Sequence, residues 1–230
     1  KHKLTNMYFF ARELNVDQFY SPEAQENLLD DIKKLRSYSN FAINQFKSFS
    51  YISFREQKKW QPTILTEYAE NQTLNDKLNI IRNENKSDDW NTTKKMINLL
   101  GISAAMKFLH DNKIIHSKLI PENIFLDKNF YPKVSIFELL GDFNKEKLVE
   151  QEYMSPEALK DEQIGFQSDV YSFGIIAYEI ITGIKPYSEV SIDKKQIIDG
   201  SLRPKFPTNI NKNICTMIEK CWDSDLTKRP

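Results

Sequence analysis

The sequence predicts an α+β protein, with a small β-rich part followed by a larger, mainly helical part. Short aromatic and β-branched runs typical of strands lie in the first 69 residues, together with one helical pattern. In the segments that follow, apolar residues recur at helical spacing. The chain has no internal repeat, and its 230 residues suffice for one large domain or for two lobes that share a core.

Each element of the first part has its own signal. Residues 8–14, 41–54 and 63–68 are aromatic and apolar enough to form strands. Ser21 and Pro22 have the pattern of a helix N-terminus, because a serine caps the first turn and a proline fits its geometry. The helix predicted after them has its apolar residues at helical spacing: Leu28, Leu29, Ile32 and Leu35.

The second part is predicted to consist mainly of helices. Residues 71–90 are polar and indicate a helix followed by a loop at 83–89. A long helix is predicted over 93–111, and an amphipathic helix over 211–222. Residues 168–182 are apolar nearly all round, which indicates a helix buried at the centre of this part.

Composition excludes several classes of function. Lys+Arg and Asp+Glu both number 32, so a net charge of zero offers no field to steer nucleic acid or an anionic membrane. The longest strongly apolar stretch, residues 173–182, contains Glu179 and is too short to span a bilayer. Cys215 and Cys221 are too few for a disulfide framework and indicate a reducing compartment. The chain starts with Lys1, so we expect a fragment of a longer protein.

Five segments occur in the order of the landmarks of protein kinases. Residues 114–127 resemble the catalytic loop H-R-D-L-x-x-x-N, with matches at His116, Leu119 and Asn123. Four further segments resemble the strand before D-F-G, the A-P-E motif, the buried helix after it and the closing motif of the tyrosine-kinase and tyrosine-kinase-like groups: 131–138, 154–157, 168–174 and 221–230. The resemblance implies a two-lobed protein-kinase-like fold.

The resemblance also implies where the lobes divide. Residues 1–69 would form a partial small lobe and the hinge, and residues 70–230 the helical large lobe with a truncated last helix. The glycine-rich loop of the family would precede Lys1, so its absence from this chain carries no weight.

Five residues would line a vestigial nucleotide site. By resemblance, Thr66 is the gatekeeper, and the segment from Glu67 to Ala69 is the hinge that holds adenine. Arg12 takes the place of the strand lysine, and Asp31 that of the helix glutamate which pairs with it. Because guanidinium and carboxylate groups pair well, an Arg12–Asp31 ion pair would brace the small lobe.

The positions that carry the chemistry of the family hold other residues here. Lys118 takes the place of the proton-accepting aspartate, and an ammonium group cannot accept a proton. Ile136 and Glu138 replace the aspartate and glycine of D-F-G, and isoleucine has no oxygen for Mg²⁺. Asn123 keeps the amide of the second metal ligand, and we expect it to hold the loop by hydrogen bonds. A second D-F-G-like triplet at 142–144 lies further from Asn123 than the family spacing.

The activation segment independently indicates that regulation by phosphorylation has been lost. Residues 138–152 contain no Ser, Thr or Tyr, and Ser117 replaces the arginine that would receive a phosphate in the family. What remains is structural by resemblance. Glu157 would pair with Arg229, and Asp169 would cap the backbone of the catalytic loop. His116 is expected to be a hydrogen-bonded core residue.

These features predict a catalytically inactive pseudokinase that acts as a signalling scaffold or allosteric regulator in the cytoplasm. Its partners would be other signalling proteins, with active kinases among them, and neither nucleic acid nor a membrane span is expected. No metal site is predicted and no cofactor is required, although ATP could still bind without Mg²⁺. The alternatives are an atypical ATP-dependent Ser/Thr kinase of the tyrosine-kinase-like group and a module that senses nucleotide.

Overall fold

The fold is taken from a computed structural model that describes residues 7–14, 21–52, 60–84, 89–137 and 151–230. Glu138, the triplet at 142–144 and nearly all of the activation segment lie outside these residues. The strands of the described residues are β1 (Phe9–Glu13), β2 (Phe46–Ile52), β3 (Trp60–Glu67), β4 (Ile124–Leu126) and β5 (Pro132–Val134). The helices are α1 (Pro22–Ser37), α2 (Leu74–Glu84), α3 (Thr92–Asp111), α4 (Pro156–Leu159), α5 (Phe166–Thr182), α6 (Lys194–Asp199) and α7 (Lys212–Cys221).

The first part of the chain forms an antiparallel sheet with the strand order β1-β3-β2. The strand predicted over 41–54 begins only at Phe46, so the prediction is wrong for its first five residues. These residues turn instead toward the second sheet, where Ile43 bridges Val134 of β5. The backbone N–H of Asn44 donates to the carbonyl of Val134 at 2.8 Å, which joins the two parts of the chain.

Helix α1 begins as predicted. The Ser21 hydroxyl accepts a hydrogen bond from the N–H of Ala24 at 3.1 Å, and Pro22 occupies the first turn. Leu28, Ile32 and Leu35 are buried in the core, whereas Leu29 is exposed. The apolar stripe is therefore one residue narrower than its spacing suggested.

The second part of the chain is helical apart from the short β4–β5 hairpin. Helix α2 continues to Glu84, so the prediction of a loop from residue 83 is wrong at its start. Helices α3 and α7 match their predicted ranges to within one residue. Leu100 of α3 is 69% exposed although it belongs to the apolar pattern of that helix.

Helix α5 lies at the centre of the second part, as its apolar sequence predicts. Most of its residues are buried, and helices α3 and α7 pack against it. A Cβ atom on Gly174 would lie 2.8 Å from Cβ of Cys221, so glycine permits the close approach of α7. Helix α5 is capped at its C-terminal end by Gly183, whose φ of 75° is in the left-handed region. Among the described helices, none has both the length and the apolar character needed to cross a membrane.

Candidate functional site

The carboxylate of Asp169 in α5 holds the segment that resembles a catalytic loop. One carboxylate oxygen accepts the backbone N–H of His116 and the other that of Ser117, both at 2.9 Å. Ser117 has a φ of 63°, and these bonds hold that left-handed conformation. The buried His116 ring donates through Nε2 to the carbonyl of Ser135 at 2.7 Å. The cap by Asp169 and the core role of His116 are confirmed.

Lys118 and Asn123 lie at the two ends of one turn of this loop. Asn123 Nδ2 donates to the Lys118 carbonyl at 2.9 Å, so the amide binds the loop itself. The backbone carbonyl of Asn123 accepts from the N–H of Ser135 at 2.8 Å, which ties the turn to the end of β5. The Lys118 side chain is half-buried, and no ion pair neutralises its ammonium group among the described residues. This turn presents a cation at the position where the family has a carboxylate.

Ile136 and Phe137 follow β5 and are both buried. Ile136 is 3% exposed, and its side chain consists only of hydrocarbon. The N–H of Phe137 donates to the hydroxyl of Ser135 at 3.3 Å. A divalent cation needs oxygen ligands, so an amide at Asn123 beside an isoleucine does not fit Mg²⁺. Within the described ranges, no group of three or more His, Cys, Asp or Glu side chains is placed to bind a metal.

The structure does not bring Arg12 and Asp31 together. The Arg12 guanidinium lies over the ring of Phe137, 4.3 Å from its centroid. Asp31 pairs instead with Lys34, one turn further along α1, with 3.1 Å between Oδ1 and Nζ. No ion pair joins Arg12 to Asp31 among the described residues. The expected brace of the small lobe is replaced by a contact between Arg12 and an aromatic ring of the large lobe.

The hinge candidates lie at the end of β3. Thr66 faces Phe10 across the β1–β3 pair. The Glu67 carboxylate pairs with Lys133 of β5 at 3.1 Å, so this end of β3 is fixed to the β4–β5 hairpin. Ala69 is buried, and its N–H and C=O take part in no hydrogen bond with other described residues. These two backbone groups are therefore available to hydrogen-bond to a ligand that reaches them.

Sequence reasoning missed a row of three contacts that runs along β1, two of which reach the large lobe. Tyr8, Phe10 and Arg12 share one face because side chains alternate along a strand. We call the row the aromatic ladder, and its three contacts are Tyr8–Tyr68 (5.5 Å between centroids), Phe10–Phe125 (5.2 Å) and Arg12–Phe137 (4.3 Å). The alternation of two aromatic residues and a cation was a visible signal, but their partners lie far away in sequence.

The predicted pair between Glu157 and Arg229 is confirmed and is bidentate. Arg229 donates through its two terminal nitrogens to the two Glu157 oxygens at 2.7 and 3.0 Å. The Ser168 hydroxyl donates to the same carboxylate at 2.7 Å. Burial alone would raise the pKa of Glu157, but the bonds from Arg229, the backbone and Ser168 outweigh it and lower the pKa to about 2. Both members are buried, so this pair is a structural anchor.

A second buried carboxylate, Glu179, was noted in the sequence only as an interruption of an apolar run. Its oxygens accept from Arg82 of α2 at 2.5 Å and from the Tyr153 hydroxyl at 2.6 Å. Burial raises the pKa of Glu179, and the two donors oppose that rise. The network joins α2, α5 and the turn before α4. A carboxylate within a buried helix was the available signal, since such a group needs partners.

Comparison with known proteins places the chain in a family. The family model described as protein tyrosine and serine/threonine kinase matches residues 15–230. The chain therefore belongs to the protein tyrosine and serine/threonine kinase family, with a small antiparallel sheet and a larger helical part.

Several curated relatives carry kinase names. A protein kinase and PP2C-like domain-containing protein of Arabidopsis thaliana is 28% identical over 207 residues, which cover 71% of this chain and 30% of that protein. From the same plant, serine/threonine-protein kinase STY17 is 30% identical over 57% of this chain and 24% of its own length. Serine/threonine-protein kinase CTR1 is 28% identical over 73% of this chain and 21% of its own length. The chain thus spans less than a third of each of these relatives.

Proposed function

We propose that this kinase domain does not transfer phosphate and that it acts as a signalling scaffold or allosteric partner of other signalling proteins, active kinases among them. The observation that carries the proposal is the pair of side chains at the two positions that hold carboxylates in the family. One is the Lys118 ammonium and the other the buried hydrocarbon of Ile136. The two free thiols, Cys215 and Cys221, are in keeping with a reducing compartment such as the cytoplasm.

The magnitude of the loss supports this proposal. Removal of a positioned general base costs a factor of roughly 10²–10⁴ in rate. Phosphoryl transfer depends further on metal ions that bridge the phosphates and neutralise developing charge. The side chains of Asn123 and Ile136 do not offer the oxygen set that this ion requires. Two separate requirements of the reaction are therefore unmet by the described residues.

A serine/threonine kinase of the tyrosine-kinase-like group is the second candidate. It is favoured by the printed names of the relatives, since STY17 and CTR1 are both called serine/threonine-protein kinases. That activity would need Glu138 or Asp142 to recruit a metal ion, and both residues lie outside the described ranges. It would also need a different group to orient the substrate hydroxyl.

Phosphate incorporation decides between the two candidates. The purified chain is incubated with labelled ATP, Mg²⁺ and a generic protein substrate, beside an Asn123→Ala variant purified in the same way. We expect no incorporation above the level of the variant, both into the substrate and into the chain itself. Incorporation by the unmodified chain that disappears in Asn123→Ala would contradict the proposal and favour the serine/threonine kinase. Circular dichroism melts of both proteins confirm that the variant is folded.

A further inference from the structure

The middle contact of the aromatic ladder lies directly beside the hinge candidates. In the β1–β3 register Phe10 is opposite Thr66, and opposed residues of an antiparallel pair have side chains on the same face. Phe125 is held from the other side of the hinge, because its backbone bridges Thr73. The two rings therefore meet at the hinge, between the sheet of the small lobe and the hairpin of the large lobe.

The dimensions of this contact leave no room for a third ring. The centroids of Phe10 and Phe125 are 5.2 Å apart at an interplanar angle of 57°, a normal aromatic contact. A planar ring inserted between two others needs two carbon–carbon spacings of 3.5–4.0 Å, or about 7 Å in all. The gap is short by about 2 Å, so a purine could enter only if one phenylalanine moved away.

The next contact of the ladder uses the cation that would otherwise meet phosphate. Arg12 lies two residues beyond Phe10 on the same face, and its guanidinium rests on the ring of Phe137. A cation within about 6 Å of a ring centroid is attracted by the ring quadrupole. Phe137 is buried and directly follows Ile136, so the charge of Arg12 is directed at an aromatic face of the large lobe.

Phe10 remains 40% exposed, so the short spacing to Phe125, and not complete burial, closes this space. We propose that this contact of the aromatic ladder excludes the adenine ring of a nucleotide from the place beside the hinge candidates. The inference rests on the proposed absence of phosphate transfer and extends it from chemistry to binding. It also departs from the expectation that ATP could still bind at the hinge. Adenine then cannot reach the N–H and C=O of Ala69, which make no hydrogen bond with other described residues.

Truncation of Phe10 tests the proposal by gain of binding. The full chain and a Phe10→Ala variant are titrated with ATP in the absence of Mg²⁺, and the melting temperature is measured. The unmodified chain is expected to show no shift. The variant is expected to bind at least tenfold more tightly, with a rise of roughly 5–10 °C when ATP is a hundredfold above its Kd. Phe41→Ala is the matched control, because Phe41 is an aromatic residue outside the ladder and is 72% exposed.

A second variant keeps the test decisive if Phe10→Ala folds poorly. Phe125→Leu keeps an apolar side chain but removes the second ring of the stack, and it should also bind ATP more tightly than the unmodified chain does. The inference would be overturned if the unmodified chain bound ATP as tightly as the variants do. It would also be overturned if both variants were folded and neither bound ATP. If the unmodified chain binds ATP but transfers no phosphate, only the ladder inference fails. If it also transfers phosphate, the proposed function fails with it.

Discussion

Replacement of Arg229 by methionine should destabilise the large lobe strongly. Methionine keeps much of the length of the side chain but removes the guanidinium, which leaves the Glu157 carboxylate buried without its main partner. The guanidinium also donates to the carbonyls of Asp223 and Gln167, both at 2.9 Å, and lies 5.2 Å from the ring centroid of Tyr171. Four hydrogen bonds and a stacking contact are lost together.

Two estimates bear on the size of this loss, and the first includes the hydrogen bonds from the backbone and Ser168 as well as those from Arg229. The pKa of Glu157 falls from 4.5 to about 2 in the folded protein. At about 1.4 kcal/mol for each pKa unit, the difference corresponds to about 3 kcal/mol of stability at neutral pH. Breaking a buried ion pair by removing one partner typically costs about 3–5 kcal/mol. For a domain of this size, a loss of about 3 kcal/mol lowers the melting temperature by roughly 6–12 °C.

Urea unfolding at neutral pH and near pH 3 provides the measurement. The folded-state pKa of Glu157 is depressed, so its contribution is present above pH 4.5 and is lost as pH falls toward about 2. The gap in unfolding free energy between the unmodified chain and Arg229→Met should therefore narrow at acid pH. Lys228→Met is the control, since Lys228 is exposed and its contact with Asp225 is 3.6 Å long. A loss below about 1 kcal/mol, or a gap that does not change with pH, would refute the reasoning.

Two further substitutions test other contacts. Asp169→Asn replaces a hydrogen-bond acceptor by a donor that faces a backbone N–H, so we expect the unfolding free energy to fall by about 1–3 kcal/mol and amide exchange in the catalytic-loop segment to become faster. The control is Asp111→Asn at an exposed position, which should change the unfolding free energy by less than about 0.5 kcal/mol. Equal losses in the two variants would contradict the capping role of Asp169. Gly174→Ala forces a Cβ to within 2.8 Å of Cys221, and we expect a loss of about 1–3 kcal/mol in thermal or urea unfolding. Gly165→Ala meets only a flexible side chain at 3.4 Å and should be milder; a neutral Gly174→Ala would show that α7 shifts freely.

The large lobe could be predicted well from sequence because five of its segments resemble the landmarks of protein kinases in the same order. Asp169 on a buried helix needs hydrogen-bond partners, and the loop that supplies them was recognisable from His116 and Asn123. The pair of Glu157 with Arg229 was likewise expected from the resemblance to protein kinases. A buried polar group needs a hydrogen-bond partner, and in each case the resemblance to protein kinases indicated which residue that partner is.

The small lobe and the cleft could not be predicted to the same depth. An ion pair between Arg12 and Asp31 depends on how β1 faces α1, and spacing along the chain does not fix that orientation. Phe125 and Phe137 resemble ordinary core residues in the sequence, so nothing marked them as partners of β1. The strand that was expected from residue 41 starts late because Ile43 pairs with Val134, far along the chain. The small lobe and the cleft therefore depend on contacts between residues that lie far apart in the sequence.

The anchor formed by Glu157 and Arg229 also has a consequence for synthesis of the chain on the ribosome. The two residues are separated by 72 positions. At about 5–20 residues per second, the carboxylate is made on the order of ten seconds before its guanidinium partner. During that interval the carboxylate must stay in water, because burial of a lone charge is costly. Helix α4, which carries Glu157, therefore reaches its final packing only after the segment that contains Arg229 has left the exit tunnel.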